Sequence, residues 1–399
     1  TGEMNYSDFF KMIPEASLVA ILIVLFVADF ATAKAEERKW FNPLASILLL
    51  LNTFVCLYPM DTQHLFGDMY VTSSAVNVMK AILSMGTFIV VVQSRTWAAK
   101  TGKEAEFYML IVSTLLGMFA MMSAGNFVMF FLGLEMASVP LACAVAFDMY
   151  RKNSAEAAAK FILTATFSSG VMLYGISFLY GQFGTLYFED IAVKMQATPL
   201  TVIGLVFFFS GLGFKISLVP FHFWTADTYQ GAPTTVTGYL SVISKGAAAF
   251  TLLSILFHVF GGMMEYWHVL LMIVVVLSIT IANLFAVRQN ELKRFMAFSS
   301  ISQAGYIMLA AIGNNWANSV AALSYYVLIY VVANMAVFTI ISVVEQNNGG
   351  KTDISDYNGF YQTNPRLSFL MTLAMFSLGG IPPFAGMFSK FFKIGRAHV

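Results

Sequence analysis

The sequence contains few of the residues that keep a protein in water. Only 11% of its 399 residues are charged, whereas 58% are hydrophobic, and soluble domains carry about a quarter charged residues. A net charge of +1 leaves no basic surface for nucleic acid. The two cysteines, Cys56 and Cys143, lie in apolar runs, which excludes a disulfide framework and a CxxC metal site. The composition therefore predicts a protein that crosses a membrane several times.

Long apolar runs are abundant instead. A bilayer core of about 30 Å is crossed by roughly 20 apolar residues in a helix. By this measure the sequence predicts twelve membrane-spanning helices, at residues 16–30, 41–58, 75–92, 107–124, 127–147, 158–180, 200–219, 235–260, 266–287, 295–312, 316–344 and 367–392.

Basic residues are distributed unequally between the two sides of these predicted spans. One side has a single lysine between spans, Lys194, together with Lys11 near the N-terminus. By the positive-inside rule the richer side is cytoplasmic and Thr1 lies outside. The thirteen basic residues on the richer side are Lys34, Arg38, Lys39, Arg95, Lys100, Lys103, Arg151, Lys152, Arg288, Lys293, Arg294, Lys351 and Arg366.

Ionisable residues inside the apolar runs are rare. Glu135 is the one carboxylate near the middle of a predicted span. An unpaired charge at the bilayer centre costs at least ~2.5–3.5 kcal/mol, so such groups must pair inside the bundle or meet internal water. Lys80 and Lys160 lie near span ends and have the alternative of reaching the membrane surface. The lysines inside the runs are Lys80, Lys160, Lys215, Lys245 and Lys390.

Two predicted spans are interrupted near a lysine. Pro220 follows Lys215 by five residues, and a Gly- and Pro-rich segment at 379–386 precedes Lys390. Proline breaks a helix, and unwound backbone at membrane depth is tolerated where it lines protein or water. Broken helices in both halves of a transporter point to an ion path. Because burial and a nearby carboxylate change the proton affinity of a lysine in opposite directions, the pattern predicts a proton relay.

The sequence has no motif for a redox cofactor. A glycine-rich dinucleotide motif after a strand, a Walker motif, a cysteine cluster and paired transmembrane histidines are all missing from it. We therefore expect no redox centre in this chain.

Three segments resemble the antiporter-like, proton-translocating subunits of respiratory complex I. They are FKISLVPFHFWTADTYQGAPTTVT at 214–237, running on to Ser244 and Lys245; GLEM at 133–136 with Pro140; and NELKRFMAFSSISQAGY at 290–306. The YQGAP portion is similar to the subunit N branch of that family rather than to L or M. The resemblance covers nearly the whole chain and is most specific between Lys215 and Lys245.

The resemblance implies an all-α fold of fourteen transmembrane helices with two inverted five-helix repeats, each with a broken helix. It implies organisation into N-terminal helices at 1–105, a first repeat at 106–260 and a second, incomplete repeat at 261–393. It also implies proton-relay roles for a modulating pair, Glu135 and Lys215; a central residue, Lys245; a lysine on the second broken helix, Lys390; a further lysine, Lys160; and a residue of the polar axis, His222.

The resemblance further implies an enzyme complex that couples NADH oxidation and quinone reduction to proton pumping. NAD, flavin, iron–sulfur clusters and quinone would be bound by other subunits, so this chain would hold no cofactor and no metal. Its partners would be the other membrane subunits of complex I, the lipid bilayer and protons. Its location would be the bacterial plasma (inner) membrane.

The C-terminal end departs from the family pattern. About two helices are absent after Lys390, so we expect a C-terminally truncated chain. The residues Ile394–Val399 match a translated sequencing adapter, so we interpret 394–399 as a non-native tail and assign no function to Arg396 or His398.

Two other functions fit the residues. The first is a subunit of an Mrp-type cation/proton antiporter or of a membrane-bound hydrogenase, which the neighbouring genes would distinguish. The second is a structural membrane subunit whose buried charges form static pairs.

Overall fold

Apolar runs form long helices in the computed structural model, which describes residues 5–34 and 37–397. The elements in chain order are α1 (Ile13–Ala31), α2 (Phe41–Cys56), β1 (Gln63–Leu65), β2 (Tyr70–Thr72), α3 (Ser74–Gln93), α4 (Arg95–Thr101), α5 (Glu104–Met122), α6 (Phe127–Val145), α7 (Lys152–Phe183), α8 (Phe188–Lys194), α9 (Pro199–Ile216), α10 (Thr225–Gly231), α11 (Thr234–Tyr239), α12 (Lys245–His258), α13 (Met264–Ala286), α14 (Leu292–Met308), α15 (Trp316–Asn347), α16 (Phe360–Thr363), α17 (Pro365–Gly379) and α18 (Ala385–Ala397).

Within the described residues, ten helical segments are long and apolar enough to cross a membrane. They include α11 and α12, which a π-helical turn at Leu240–Ser244 joins into one segment. Two predicted spans differ from this pattern. The second of the twelve predicted spans, at 41–58, is a shorter helix, α2, and the twelfth, at 367–392, is divided into α17 and α18. The membrane-spanning, all-α class is therefore confirmed at this coarser level.

A small β-hairpin, formed by β1 and β2, was not predicted from the sequence. Its strands pair in antiparallel register, with His64 opposite Val71. Backbone bonds join the hairpin to the turn between α5 and α6, from Val71 N to Ser123 O at 2.7 Å and from Gly125 N to Met69 O at 2.8 Å. We call this end of the bundle the hairpin face, and the opposite end, with the loop between α1 and α2, the basic face.

Glycines allow close approach between the helices that carry the candidate site. A Cβ on Gly117 of α5 would lie 2.5 Å from the backbone nitrogen of Ala137, and one on Gly133 of α6 would lie 2.5 Å from that of Met121. Small residues of this kind drive helix packing in membranes because they bring two backbones into contact. The pair α5–α6 is therefore held closely, which fixes the position of Glu135.

The first helix break follows α9. Ser217 has a left-handed φ of 67°, and the chain turns before α10. Phe214 O accepts a hydrogen bond from Trp224 Nε1 at 2.9 Å, and Val219 N donates to Ser278 Oγ at 3.0 Å. These side chains satisfy backbone groups that the break releases, as membrane depth requires.

The second break lies between α17 and α18. Gly380 has a φ of 78°, which favours glycine. The carbonyl oxygen of Leu378 accepts from Gln303 Nε2 at 3.0 Å and from Lys390 Nζ at 2.7 Å. Both interruptions predicted from the sequence are therefore present, and each leaves backbone groups that polar side chains bind.

Candidate functional site

Glu135 and Lys215 lie on neighbouring helices but bind different serines. Ser169 Oγ donates to Glu135 Oε1 at 2.7 Å, and Lys215 Nζ donates to Ser138 Oγ at 2.7 Å. Ser138 follows Glu135 by three residues, so both face the same side of α6. In the described part of the chain Glu135 and Lys215 form no direct ion pair.

A small cavity connects these groups. Its volume is about 20 Å³, which is room for one water molecule. It extends from the serines that bind Glu135 and Lys215 to the residue that precedes Lys245. The polar residues of its lining are Ser138, Ser168, Ser169, Lys215 and Ser244.

Lys245 begins α12 directly after the π-helical turn. Its side chain is buried, with 1% of the residue exposed. Lys245 Nζ donates to Ser300 O at 2.8 Å and to Ser300 Oγ at 2.5 Å. π-Helical turns occur frequently at functional sites because they change the helical register locally. Here the turn places Ser244 on the cavity and Lys245 against α14.

Two groups of hydrogen bonds lie between Lys245 and Lys390. Ser300 Oγ also accepts from the Tyr330 hydroxyl at 3.2 Å, and the Tyr326 hydroxyl donates to Gln303. A second cavity of about 10 Å³ is lined by Gln303, both tyrosines and Lys390. Glu135, Lys215, Lys245 and Lys390 thus follow one another in what we call the lysine row.

The lysines of this row have neutral partners. In the described residues, Lys215, Lys245 and Lys390 bind hydroxyl and carbonyl oxygens rather than a carboxylate. The ring of Tyr306 lies 4.5 Å from Lys390 Nζ. A buried cation without a counter-ion is costly to maintain, so a proton held here can be passed on to a nearby acceptor.

Lys160 lies outside this row. It is partly exposed on α7, where it pairs with Glu156 at 2.7 Å and Asp227 at 3.0 Å. Asp227 also accepts from Arg294 Nη1 at 2.7 Å. The hydrogen bond from Arg294, and then that from Lys160, holds the pKa of the Asp227 carboxyl below its ordinary value.

His222 lies in the first break, where its ring stacks on Phe223 with centroids 4.5 Å apart. Its Nδ1 is buried and has no hydrogen-bond partner among the described residues. The structure therefore brings together four of the six predicted relay residues, and places Lys160 and His222 beside them without a shared hydrogen bond.

Lys80 does not reach the membrane surface. It is fully buried, and its Nζ lies 2.5 Å from Glu15 Oε1 and 3.0 Å from the Tyr70 hydroxyl. Glu15 fell just outside the predicted span because that span was bounded by its apolar residues. Helix α1 begins earlier, with Pro14 in its first turn. Glu15 lies in the first turn of α1, so it is a second buried carboxylate of the membrane-spanning helices, at a helix end rather than near the middle.

Two further lysines are buried: Lys293, which was predicted to lie in a loop, and Lys393, for which no prediction was made. Lys293 Nζ donates to Ala232 O at 2.5 Å, and Lys393 Nζ donates to Tyr306 O at 3.0 Å. The spacing of Lys390 and Lys393 by three residues was a signal, because residues three apart share a helix face. No comparable signal identified Lys293, which follows a polar segment.

The described residues contain no group of three or more His, Cys, Asp or Glu side chains that could hold a metal ion. The non-native tail predicted at 394–399 lies partly outside the residues that the structure describes. Helix α18 includes Ile394–Ala397, whereas His398 and Val399, and the side chain of Arg396, lie outside the described residues.

Known proteins are similar over nearly the whole chain. Residues 124–397 match the family described as NADH:quinone oxidoreductase/Mrp antiporter, TM. The NADH-quinone oxidoreductase subunit N of Phocaeicola vulgatus is 58% identical over 392 residues, which are 98% of this chain and 82% of that protein. The match does not bear out the prediction of a truncated chain.

Two solved structures share the fold. A chain of respiratory complex I from Thermus thermophilus with bound aureothin has a TM-score of 0.80 and 28% identity, covering 96% of this chain and 82% of that one. A chain of the Mrp complex from a Dietzia species has a TM-score of 0.80 and 20% identity, covering 97% and 75%. The second likeness concerns the fold alone.

Proposed function

Because the chain belongs to the NADH-quinone oxidoreductase subunit N family, we propose that its lysine row is the proton path of this subunit. The chain is a proton-translocating membrane subunit of complex I, and the other membrane subunits of that complex are its partners. The redox cofactors and quinone belong to other subunits in this proposal.

The alternation of lysines with cavities of water size supports the proton path. A proton leaves Lys215 when an N–H bond there breaks and cavity water or Ser138 accepts the proton. It reaches Lys245 when an N–H bond forms there, and the hydrogen-bonded chain from Ser300 to Tyr330 leads toward Lys390. Moving one proton against 100 mV requires about 2.3 kcal/mol, which a change in the partners of one buried lysine can supply.

The same proposal includes the repeat organisation and the orientation. Each half has a broken helix with a left-handed residue directly after its last turn, Ser217 in one and Gly380 in the other. A lysine lies beside each break, which favours two related half-channels. The basic face is cytoplasmic in this arrangement, and the membrane is the bacterial inner membrane.

The test replaces members of the row in the intact complex. We expect Lys215→Ala and Glu135→Gln to lower proton pumping per electron and NADH:quinone activity. Lys194→Ala is the matched control, since Lys194 is exposed at the end of α8 and lies outside the row. Normal pumping and activity in the first two variants would contradict the relay.

A further inference from the structure

A buried ion pair lies in the N-terminal helices, before the segment 124–397 that matches the family. Glu15 of α1 is 4% exposed and Lys80 of α3 is 0% exposed. Lys80 Nζ contacts Glu15 Oε1 at 2.5 Å and the Tyr70 hydroxyl at 3.0 Å. This cluster, Glu15, Lys80 and Tyr70, shares no member with the lysine row.

The hydrogen bonding of Glu15 is incomplete. Its Oε2 is buried and has no partner among the described residues. Buried ion pairs are stabilising where the remaining lone pairs are also satisfied, and an unsatisfied buried oxygen calls for an explanation. An oxygen that accepts a proton in one state of the protein gives such an explanation.

A large cavity on the hairpin face lies near this cluster, and none of the three cluster residues is among its lining residues. Its volume is about 310 Å³, which holds several water molecules. Val71, which follows Tyr70, and Val76, which precedes Lys80 by one turn, both line it. Four residues of α-helix rise about 6 Å, so the cavity ends about one helical turn from Lys80 along α3. The ionisable residues of the lining are His64, Asp68, Glu189 and His258.

We propose that the Glu15–Lys80–Tyr70 cluster binds and releases a proton in exchange with water of this cavity. In the released state Glu15 is a carboxylate paired with the Lys80 ammonium. In the bound state a proton from cavity water forms an O–H bond on Glu15, and water is left with one proton fewer. Besides Tyr70 from β2, the groups that face the pair are Cys56 from α2 and the Phe119 ring of α5, 5.7 Å from Lys80 Nζ.

Infrared difference spectroscopy of the intact complex during NADH-driven turnover tests the exchange directly. We expect a carboxylic-acid C=O band that disappears in Glu15→Gln. The band should remain in Glu104→Gln, a matched control with a second buried carboxylate of the N-terminal helices, whose carboxyl faces Arg38. A Glu15→Gln spectrum equal to that of the unmodified complex would overturn the proposal.

A double variant in which both charged residues are replaced by neutral ones distinguishes proton exchange from a static ion pair. Replacing a buried ion pair by neutral residues of similar volume is often neutral or stabilising. We therefore expect Glu15→Gln/Lys80→Met complexes to assemble and to lose part of the protons moved per electron. Full pumping by this variant, together with impaired pumping by Lys215→Ala, would reject this site and retain the lysine row.

Access of water is tested in a complex that retains both charges. Val71→Cys places a thiol on the cavity lining, one residue from Tyr70. We expect a membrane-impermeant maleimide to label it from the hairpin face above the level of the unmodified chain, whose cysteines are Cys56 and Cys143. Labelling no greater than that level would also overturn the proposal.

Discussion

Substitution of Ser300 gives the sharpest test of the lysine row, because its hydroxyl contacts two members of the hydrogen-bonded path. It accepts from Lys245 Nζ at 2.5 Å and from the Tyr330 hydroxyl at 3.2 Å. Ser300→Ala removes this oxygen and leaves the backbone carbonyl, which still accepts from Lys245 at 2.8 Å. The substitution therefore interrupts the connection to Tyr330 while it keeps one partner for Lys245.

The size of the effect on Lys245 follows from the hydrogen bond to Ser300 Oγ that its ammonium group loses. A hydrogen bond to a charged group contributes about 1.5–3 kcal/mol, and each 1.4 kcal/mol is a factor of ten in an equilibrium. The protonated form of Lys245 should then be disfavoured by roughly 10- to 150-fold. We expect proton pumping and coupled NADH:quinone activity to fall by about tenfold or more.

Proton uptake by inverted membrane vesicles measures this directly, with the content of assembled complex determined in parallel. Ser299→Ala is the matched control, because Ser299 is the neighbouring serine on α14 and lies outside the row. Equal pumping by the Ser300→Ala and Ser299→Ala complexes would refute the connection through Ser300.

Two further substitutions test other parts of the molecule. Gly380→Ala should cost about 1–2 kcal/mol because L residues disfavour a left-handed φ, and its Cβ would lie 3.0 Å from Lys390 Cδ; thermal unfolding that matches the unmodified complex would contradict this. Asp227→Asn should lower stability at pH 7. Because Arg294 and then Lys160 depress the pKa of Asp227, its contribution is present above the unfolded-state pKa and is lost as pH falls through the folded-state pKa. The difference between the two proteins should therefore shrink in acid, and melting temperatures that differ equally at every pH would argue against this account.

The long apolar helices and the two breaks could be predicted from the sequence because they depend on local chemistry. The run at 295–312 corresponds to α14 within a few residues. Pro220 indicated a break that the structure places directly after α9. Helix ends were less accurate: α7 begins at Lys152 because its polar first turns continue the helix beyond the apolar run.

The partners of the buried charges could not be predicted because they depend on how helices rotate against one another. Glu15 and Lys80 are 65 residues apart, and no spacing rule links them. Nothing in the sequence distinguishes Ser138 and Ser300 from other serines of membrane helices. Their contacts with Lys215 and Lys245 identify them as partners. Lys293 was counted among loop charges, although its side chain turns inward to Ala232.

Helix α14 contributes three residues at intervals of three, Ser300, Gln303 and Tyr306, and these meet different partners. Ser300 holds Lys245, Gln303 binds the carbonyl of Leu378, and the Tyr306 ring lies against Lys390. A rotation or axial shift of α14 would change all three of these contacts at once. The surroundings of Lys245 and Lys390 are therefore coupled through this one helix.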